Sequence, residues 1–393
     1  MEAPLTMAVA AKPGAHEEFS HGTSITVEVD RIERALADLW KEASRAQGEG
    51  TVSRAALWNI VVATRGADLP KTKTLADEIA PLLPARVLML AAEDEASSLA
   101  EDEVTASLES NVVARASGSR VVYSEEITLR SRRGEVHFGG LVRALQIPGL
   151  PTATLWLDAT MSQALLRRQL LAGADRLVVD TGRCDRAREL LEIQGCADLT
   201  GGVQAVADLG WLRLANFRLL FAGLFDAPVG GAPLRRAKRV TIHHRPDSQA
   251  SALLLAAWLA ATLDWLVGSA PPASRPDGAL AFSFDRANVG GSAGAVEVVL
   301  VPSPGECGTS GIVALELVAA GPDGATEEVY AVRRTEQNHA TLTLPIAPDR
   351  SVKLDSRRDA ELCVAALGPA GRDPLFVRCL ALAARLVTSV GTP

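Results

Sequence analysis

Little in this chain belongs to the usual equipment of a catalytic or metal centre. Its five cysteines, Cys184, Cys196, Cys307, Cys363 and Cys379, are scattered, odd in number and without a Cys-x-x-Cys pair. That pattern argues against both a disulfide framework and a thiolate zinc site. The six histidines do not cluster, and His243 and His244, adjacent on an expected strand, point to opposite faces, one outward and one inward. No metal site is expected. Neither GxGxxG nor GxxxxGK occurs, so no glycine turn brings backbone amides onto a phosphate. The pairs Gly139-Gly140, Gly201-Gly202, Gly230-Gly231 and Gly290-Gly291 read as turns, and no cofactor is expected. The GxSxG elbow of a serine hydrolase is also missing.

Charge and hydropathy exclude further classes. A net charge of −7 and a pI near 5.5 leave no cationic stripe for nucleic acid. Arg235, Arg236, Lys238 and Arg239 form the densest basic run, which has no interleaved aromatics and reads as a solvated linker. The most apolar segment, Ala250–Val267, is interrupted by Asp264 before the ~18 residues a membrane span needs, and is expected to be a buried core helix. The first 22 residues lack a basic n-region ahead of their short apolar patch, so a signal peptide is not expected and a cytoplasmic protein is.

What is present is a two-part pattern. At 393 residues and 48% apolar content the chain suits two domains. After a tail and helix over residues 1–50, residues 51–226 carry continuous apolar runs at Leu57–Thr64, Arg86–Ala91, Thr154–Asp158 and Arg176–Asp180, with helical sequence between them. Such runs mark strands covered on both faces, hence a mostly parallel α/β sheet. A hairpin, Val104–Ala116 with Arg120–Arg130, makes it partly mixed. Residues 227–237, with two prolines and paired glycines, read as a linker. Residues 238–393 then predict a smaller α+β domain: a strand, the Trp258 helix, five short runs forming an antiparallel sheet and two closing helices. Trp258 and Trp265, seven apart, are expected on one face of that helix and in the core.

The stretch Asp208–Asp226 (DLGWLRLANFRLLFAGLFD) stands between the two parts. Asp208 is a natural N-cap, Phe217, Leu220, Phe221 and Leu224 keep helical spacing, and Asp226-Ala227-Pro228 stops the helix. Trp211, Arg213 and Arg218 are of the types that dominate interface energetics, although the same helix could simply join the two domains. Asp158 and Asp180, at the carboxyl ends of two expected parallel strands, occupy the place where α/β sheets bind ligands, yet an aspartate there commonly caps the next helix.

Five segments in order, LPARVLML (83–90), VVYSEEITLRSRRG (121–134), LPTATLWLD (150–158), RLVVDTGR (176–183) and Asp208–Asp226, resemble the OpcA family of glucose-6-phosphate dehydrogenase assembly proteins. The family's form of the last segment looks like Asp-Leu-Asn-Trp-x-Arg-Leu-Thr-x-Trp-Arg, closing on Leu-Phe-Asp. Asp208, Leu209, Trp211, Arg213, Leu214, Arg218 and Leu224-Phe225-Asp226 match it, while Gly210, Ala215 and Phe217 stand where Asn, Thr and Trp are expected. The resemblance implies a non-catalytic partner that binds glucose-6-phosphate dehydrogenase and promotes its active oligomer in the oxidative pentose phosphate pathway; Trp211, Arg213, Phe217 and Arg218 are the expected partner-binding residues, Trp and Arg being the usual hot-spot types. The reading of a different class is an α/β enzyme acting on a small anionic metabolite near Asp158 and Asp180.

Overall fold

A computed structural model describes residues 18–21, 24–46, 52–53, 56–114, 121–157, 164–184, 187–199, 205–226, 228–286, 294–354, 356–368 and 373–390. By internal contacts the chain divides into two compact units, Met1–Val61 with Gly66–Pro151, and Val62–Arg65 with Thr152–Pro393. The fold is α/β with a mixed sheet, joined in sequence to a second sheet rich in antiparallel pairs.

The first unit contains β1 (Glu18–His21), β2 (Ile25–Val27), α1 (Ile32–Ala46), β3 (Val52–Ser53), the start of β4 (Trp58–Arg65), α2 (Leu69–Ile79), β5 (Ala85–Ala92), β6 (Val104–Ala114), β7 (Val121–Ser131) and α3 (Gly134–Leu145). The strand order is β1-β6-β7-β5-β4. The expected hairpin is there, β6 running antiparallel to β7 with Leu108 opposite Ile127, while β5 lies parallel to β7. The apolar runs at β4 and β5 are buried along nearly their whole length, as strands covered on both faces must be. One cation is buried with them. Arg86, only 2% exposed, donates to Glu125 (2.7 Å), Glu33 (2.7 Å) and the Leu145 carbonyl (2.7 Å), tying α1, β7 and α3 to β5. A second charged group is less well provided for. Glu126 is 2% exposed, neither carboxyl oxygen has a hydrogen-bond partner, Lys73 lies 3.5 Å away, and Glu109 stands directly opposite on β6.

The second unit opens with three parallel strands, β8 (Thr152–Trp156), β9 (Arg176–Val179) and β10 (Ala205–Asp208), with α4 (Ala164–Ala172) and α5 (Glu189–Leu199) between them. β10 was not expected: Ala205–Asp208 is too short and too rich in alanine to register as an apolar run. α5 also begins five residues later than the expected Cys184–Gln194 helix, because a 3-10 turn over Thr181–Arg183 follows β9.

The Asp208–Asp226 stretch is two helices in place of the single one expected, α6 (Leu209–Arg213) and α7 (Ala215–Gly223). After α8 (Ala232–Arg235), inside the expected linker, come β11 (Ala237–His244), α9 (Gln249–Thr262), β12 (Trp265–Val267), β13 (Ala273–Ser274), β14 (Leu280–Arg286), β15 (Ala295–Pro302), β16 (Ile312–Ala320), β17 (Glu327–Glu336), β18 (His339–Leu344), β19 (Ala347–Lys353), α10 (Asp359–Ala366) and α11 (Pro374–Val390). Among the described residues these strands order as β12-β14-β15-β11-β16-β17-β18-β19, with β13 on β14. Neighbouring strands in this sheet are antiparallel except β11 and β15, which run parallel. α9 is buried on every side from Ala250 to Ala261, as its composition demands. It stops at Leu263, and Asp264 turns the chain with φ +52°. Trp265 therefore sits on a strand and stacks near Phe284, not on the helical face of Trp258. His244 is buried and His243 half-buried, the opposite-face arrangement expected of neighbours on a strand.

Candidate functional site

The Asp208–Asp226 stretch is fastened at three points within the second unit. The first is its cap. Asp208 ends β10 and is 1% exposed, and its carboxylate accepts four hydrogen bonds: from the Gly210 amide (3.1 Å), the Trp211 amide (2.9 Å), the Thr181 amide (2.8 Å) and the Thr181 hydroxyl (2.6 Å). Two of these are the orphan donors of the first turn of α6, and the other two join α6 to the turn after β9. Burial pushes the Asp208 carboxyl up to about 6, against the Thr181 bonds that pull it down. The approach is close enough to require glycine. A Cβ on Gly210 would lie 2.2 Å from Thr181 Oγ1 and 2.7 Å from the Gly182 nitrogen, and one on Gly182 would lie 2.8 Å from an Arg213 guanidinium nitrogen. Gly210 thus answers to Thr181 and Gly182 in this chain, where the family pattern has asparagine.

The second fastening is a closed ring of four charges. Arg213 binds Asp180 through both terminal nitrogens (2.5 and 2.9 Å) and Asp359 through one of them (2.7 Å). Arg183 closes the ring on Asp359 (2.8 Å) and Asp180 (3.0 Å). The Asp180 side chain is wholly buried and Arg213 nearly so, whereas Asp359 and Arg183 are partly exposed. Burial works against the charge on Arg213, yet Asp180 and Asp359 raise its pKa above the ordinary range. Burial would likewise raise Asp359, and Arg213 with Arg183 holds it below its ordinary value. Asp359 lies in the first turn of α10, where the helix dipole also favours a negative charge.

The third fastening is aromatic. Trp211 is 3% exposed, donates its indole N–H to Asp373 (2.9 Å), and packs on Phe376 with ring centroids 5.7 Å apart. Asp373 also accepts the Leu375 and Phe376 amides (3.0 Å each), capping α11. The Arg218 guanidinium carbon sits 3.4 Å from the centroid of the Trp211 ring, and burial pushes Arg218 down to about 10, partly offset by Asp373. Beyond it, Phe217 is 1% exposed, and Phe221 meets Phe225 and Trp258 edge-on.

Of the four residues named as partner-binding, Trp211 and Phe217 are buried, Arg213 is committed to two carboxylates, and Arg218 lies largely under the surface over Trp211. The stretch is a bridge inside its own unit. Its exposed large apolar side chain is one the sequence did not single out, Leu219, which is 71% exposed on α7. Asp180 lies where expected, at the end of β9. Its carboxylate caps the 3-10 turn through the Gly182 amide (3.1 Å) and neutralises two arginines. Asp158 lies outside the described residues. Asp359 and Asp373 were also missed. Asp373 precedes Pro374 at a helix start, a local signal that could have marked it, but Asp359 is 146 residues from Arg213 and carried none.

Comparison with known proteins bears on this arrangement. Residues 76–194 match the family model described as the glucose-6-phosphate dehydrogenase subunit N-terminal domain, and residues 204–380 match the corresponding C-terminal domain, both of OpcA. The chain belongs to the OpcA family. Asp180 and Arg183 fall in the first match, and Asp208, Arg213, Asp359 and Asp373 in the second, so the ring draws on both OpcA domains. A Nostoc punctiforme protein provisionally named OxPP cycle protein OpcA is 32% identical over 195 residues, covering 49% of this chain and 40% of that one. A Synechocystis protein of the same name is 28% identical over 195 residues, with 49% and 39% covered. The chain therefore aligns with about two fifths of the length of these OpcA relatives. Among solved structures, a 3-ketoreductase from Actinomadura kijaniata shows a TM-score of 0.47 at 11% identity, with 84% of this chain and 96% of that chain covered. Likeness at that level carries no argument about chemistry. No helix among the described residues is long and apolar enough to cross a membrane.

Proposed function

We propose that this chain is a cytoplasmic, non-catalytic assembly factor that binds glucose-6-phosphate dehydrogenase and favours its active oligomer. The membership of the OpcA family carries the reading, and the site supports it. At the end of β9, where a catalytic acid would be sought, the carboxylate of Asp180 is buried and neutralised by Arg213 and Arg183. A factor of this kind acts only if it binds the assembled enzyme more tightly than the less active form, since equal affinity shifts no equilibrium. A rigid contact surface meets that demand better than a loose one, because less ordering entropy is lost on docking. In this reading Trp211, Arg213, Phe217 and Arg218 contribute by holding α6 and α7 in place, and Leu219 is a direct contact.

The test is to mix the purified chain with its cognate dehydrogenase and follow activity and sedimentation together. The chain alone is expected to turn nothing over, and the mixture to show a larger, more active enzyme. Leu219→Asp should weaken the complex by about tenfold or more while leaving the melting temperature of the chain unchanged. Failure to co-sediment or to activate would refute the assembly reading. Full activation by Leu219→Asp would refute the contact.

A further inference from the structure

One buried cation in the second unit has no ion-pair partner among the described residues. Arg334, near the end of β17, is 7% exposed. One terminal nitrogen donates to the Gln337 carbonyl, and Nε is buried with no partner. Among the described residues no carboxylate comes within ion-pair distance of it, and burial lowers its pKa from the ordinary arginine value, offset only in part by the more distant Glu306. The guanidinium is held in place from two sides. Its carbon lies 5.9 Å from the centroid of the Phe217 ring, and Gly308 passes so close that a Cβ there would stand 2.7 Å from that carbon. Gly308 has φ +54°, a conformation that glycine alone adopts freely.

Arg334 faces a small cleft with about 20 Å³ of free space beneath a mouth open to solvent, room for the oxygens of one anionic group. α6 and α7, the turn Gly308–Ser310 and the segment leading into α10 form the walls. Arg357 lines it from the exposed side, and Asn216, Thr309 and Ser356 add an amide and two hydroxyls. None of the lining residues among the described ones is an aspartate or glutamate. Arg213 also reaches the cleft, but its charge is answered by Asp180 and Asp359. A buried cation without an ion-pair partner is unfavourable, and an anion from solution entering this cleft would supply a close opposite charge. The flat guanidinium fork suits phosphate and carboxylate oxygens, and the hydroxyls of Thr309 and Ser356 suit the oxygens the arginines do not reach.

We propose that this cleft binds a small anionic metabolite through its phosphate or carboxylate group, with Arg334 as the fixed cation and Arg357 as the one that closes over it. The proposal does not depend on the assembly reading, although α6 and α7 form one wall of the cleft. The full chain is titrated by calorimetry with sodium phosphate and, separately, with sodium citrate, chloride being varied to keep ionic strength constant. Saturable binding of phosphate alone assigns the site to phosphate esters, of citrate alone to carboxylates, and either supports the proposal. Arg357→Ala should weaken binding about tenfold or more, the loss expected for one charged hydrogen-bond donor. Arg334→Met should abolish it and remove any dependence of the melting temperature on the anion. Arg378→Ala, which alters an arginine paired with Asp264 and absent from the cleft lining, should bind normally. Saturable binding of neither anion overturns the proposal. Unchanged affinity in Arg357→Ala does so as well, which keeps the test decisive should Arg334→Met fail to fold.

Discussion

Replacing Arg213 by methionine removes one corner of the four-charge ring and strands the most deeply buried of its carboxylates. Asp180 has a wholly buried side chain and would retain Arg183 at 3.0 Å and the Gly182 amide at 3.1 Å. Breaking a buried ion pair from one side costs about 3–5 kcal/mol, because the remaining charge is left in a medium that solvates it poorly. The surviving Arg183 contact places Arg213→Met near the lower end, at about 3 kcal/mol. Asp359→Asn should cost less, about 1 kcal/mol, since that carboxylate is 34% exposed and water replaces much of what is lost. Neutralising both buried partners, in Arg213→Met with Asp180→Asn, removes the stranded charge and should cost less than the two single changes added together, by about 2 kcal/mol or more. Urea denaturation followed by circular dichroism supplies all four stabilities. The reasoning is refuted if Arg213→Met costs no more than Asp359→Asn, or if the two single costs add without coupling.

Other consequences are open to the same measurements. Gly210→Asn restores the family residue but sets a Cβ 2.2 Å from Thr181 Oγ1, and is expected to destabilise by about 1–3 kcal/mol; an unchanged urea midpoint would contradict the close approach. Burial pushes Glu126 up to about 7 from an ordinary 4.5, so the folded chain holds its proton more tightly than the unfolded one. Stability is then fullest below pH 4.5 and falls by about 3 kcal/mol on that account as pH rises to 7; Glu126→Gln should lose this slope and exceed the parent at pH 8. Cys307 is the one partly exposed thiol of five, while burial raises Cys363 and Cys379 to about 12. Native alkylation should therefore modify Cys307 first and the four buried thiols only on unfolding, which peptide mass mapping will register.

Much of this architecture is local and was legible as such. Continuous apolar runs marked β4, β5, β8 and β9, a glycine-serine turn marked the β6–β7 hairpin, and Asp208 was readable as a cap from its position ahead of an apolar series. Each of these signals lies within a few residues of the element it specifies. The same is true of the motif in Asp208–Asp226 that carries the resemblance to OpcA. Elements whose composition is weak escaped: β10 is four residues of Ala-Val-Ala-Asp, and β19 is a polar edge strand. The parallel pairing of β11 with β15 escaped too, since strand partners are chosen by topology and not by either strand's own pattern.

The roles of the charged and aromatic residues were decided only in three dimensions. Trp211, Arg213 and Arg218 have the composition of a contact surface, and the sequence does not say whether such side chains face a partner or their own fold. Arg213 finds Asp359 across 146 residues and Trp211 finds Asp373 across 162. Arg334 has no carboxylate within ion-pair distance among the described residues. Helical and strand periodicity records which face of an element is apolar. Whether a charge on that element is answered, and by which residue, depends on what the rest of the chain packs against it, and no local pattern encodes that.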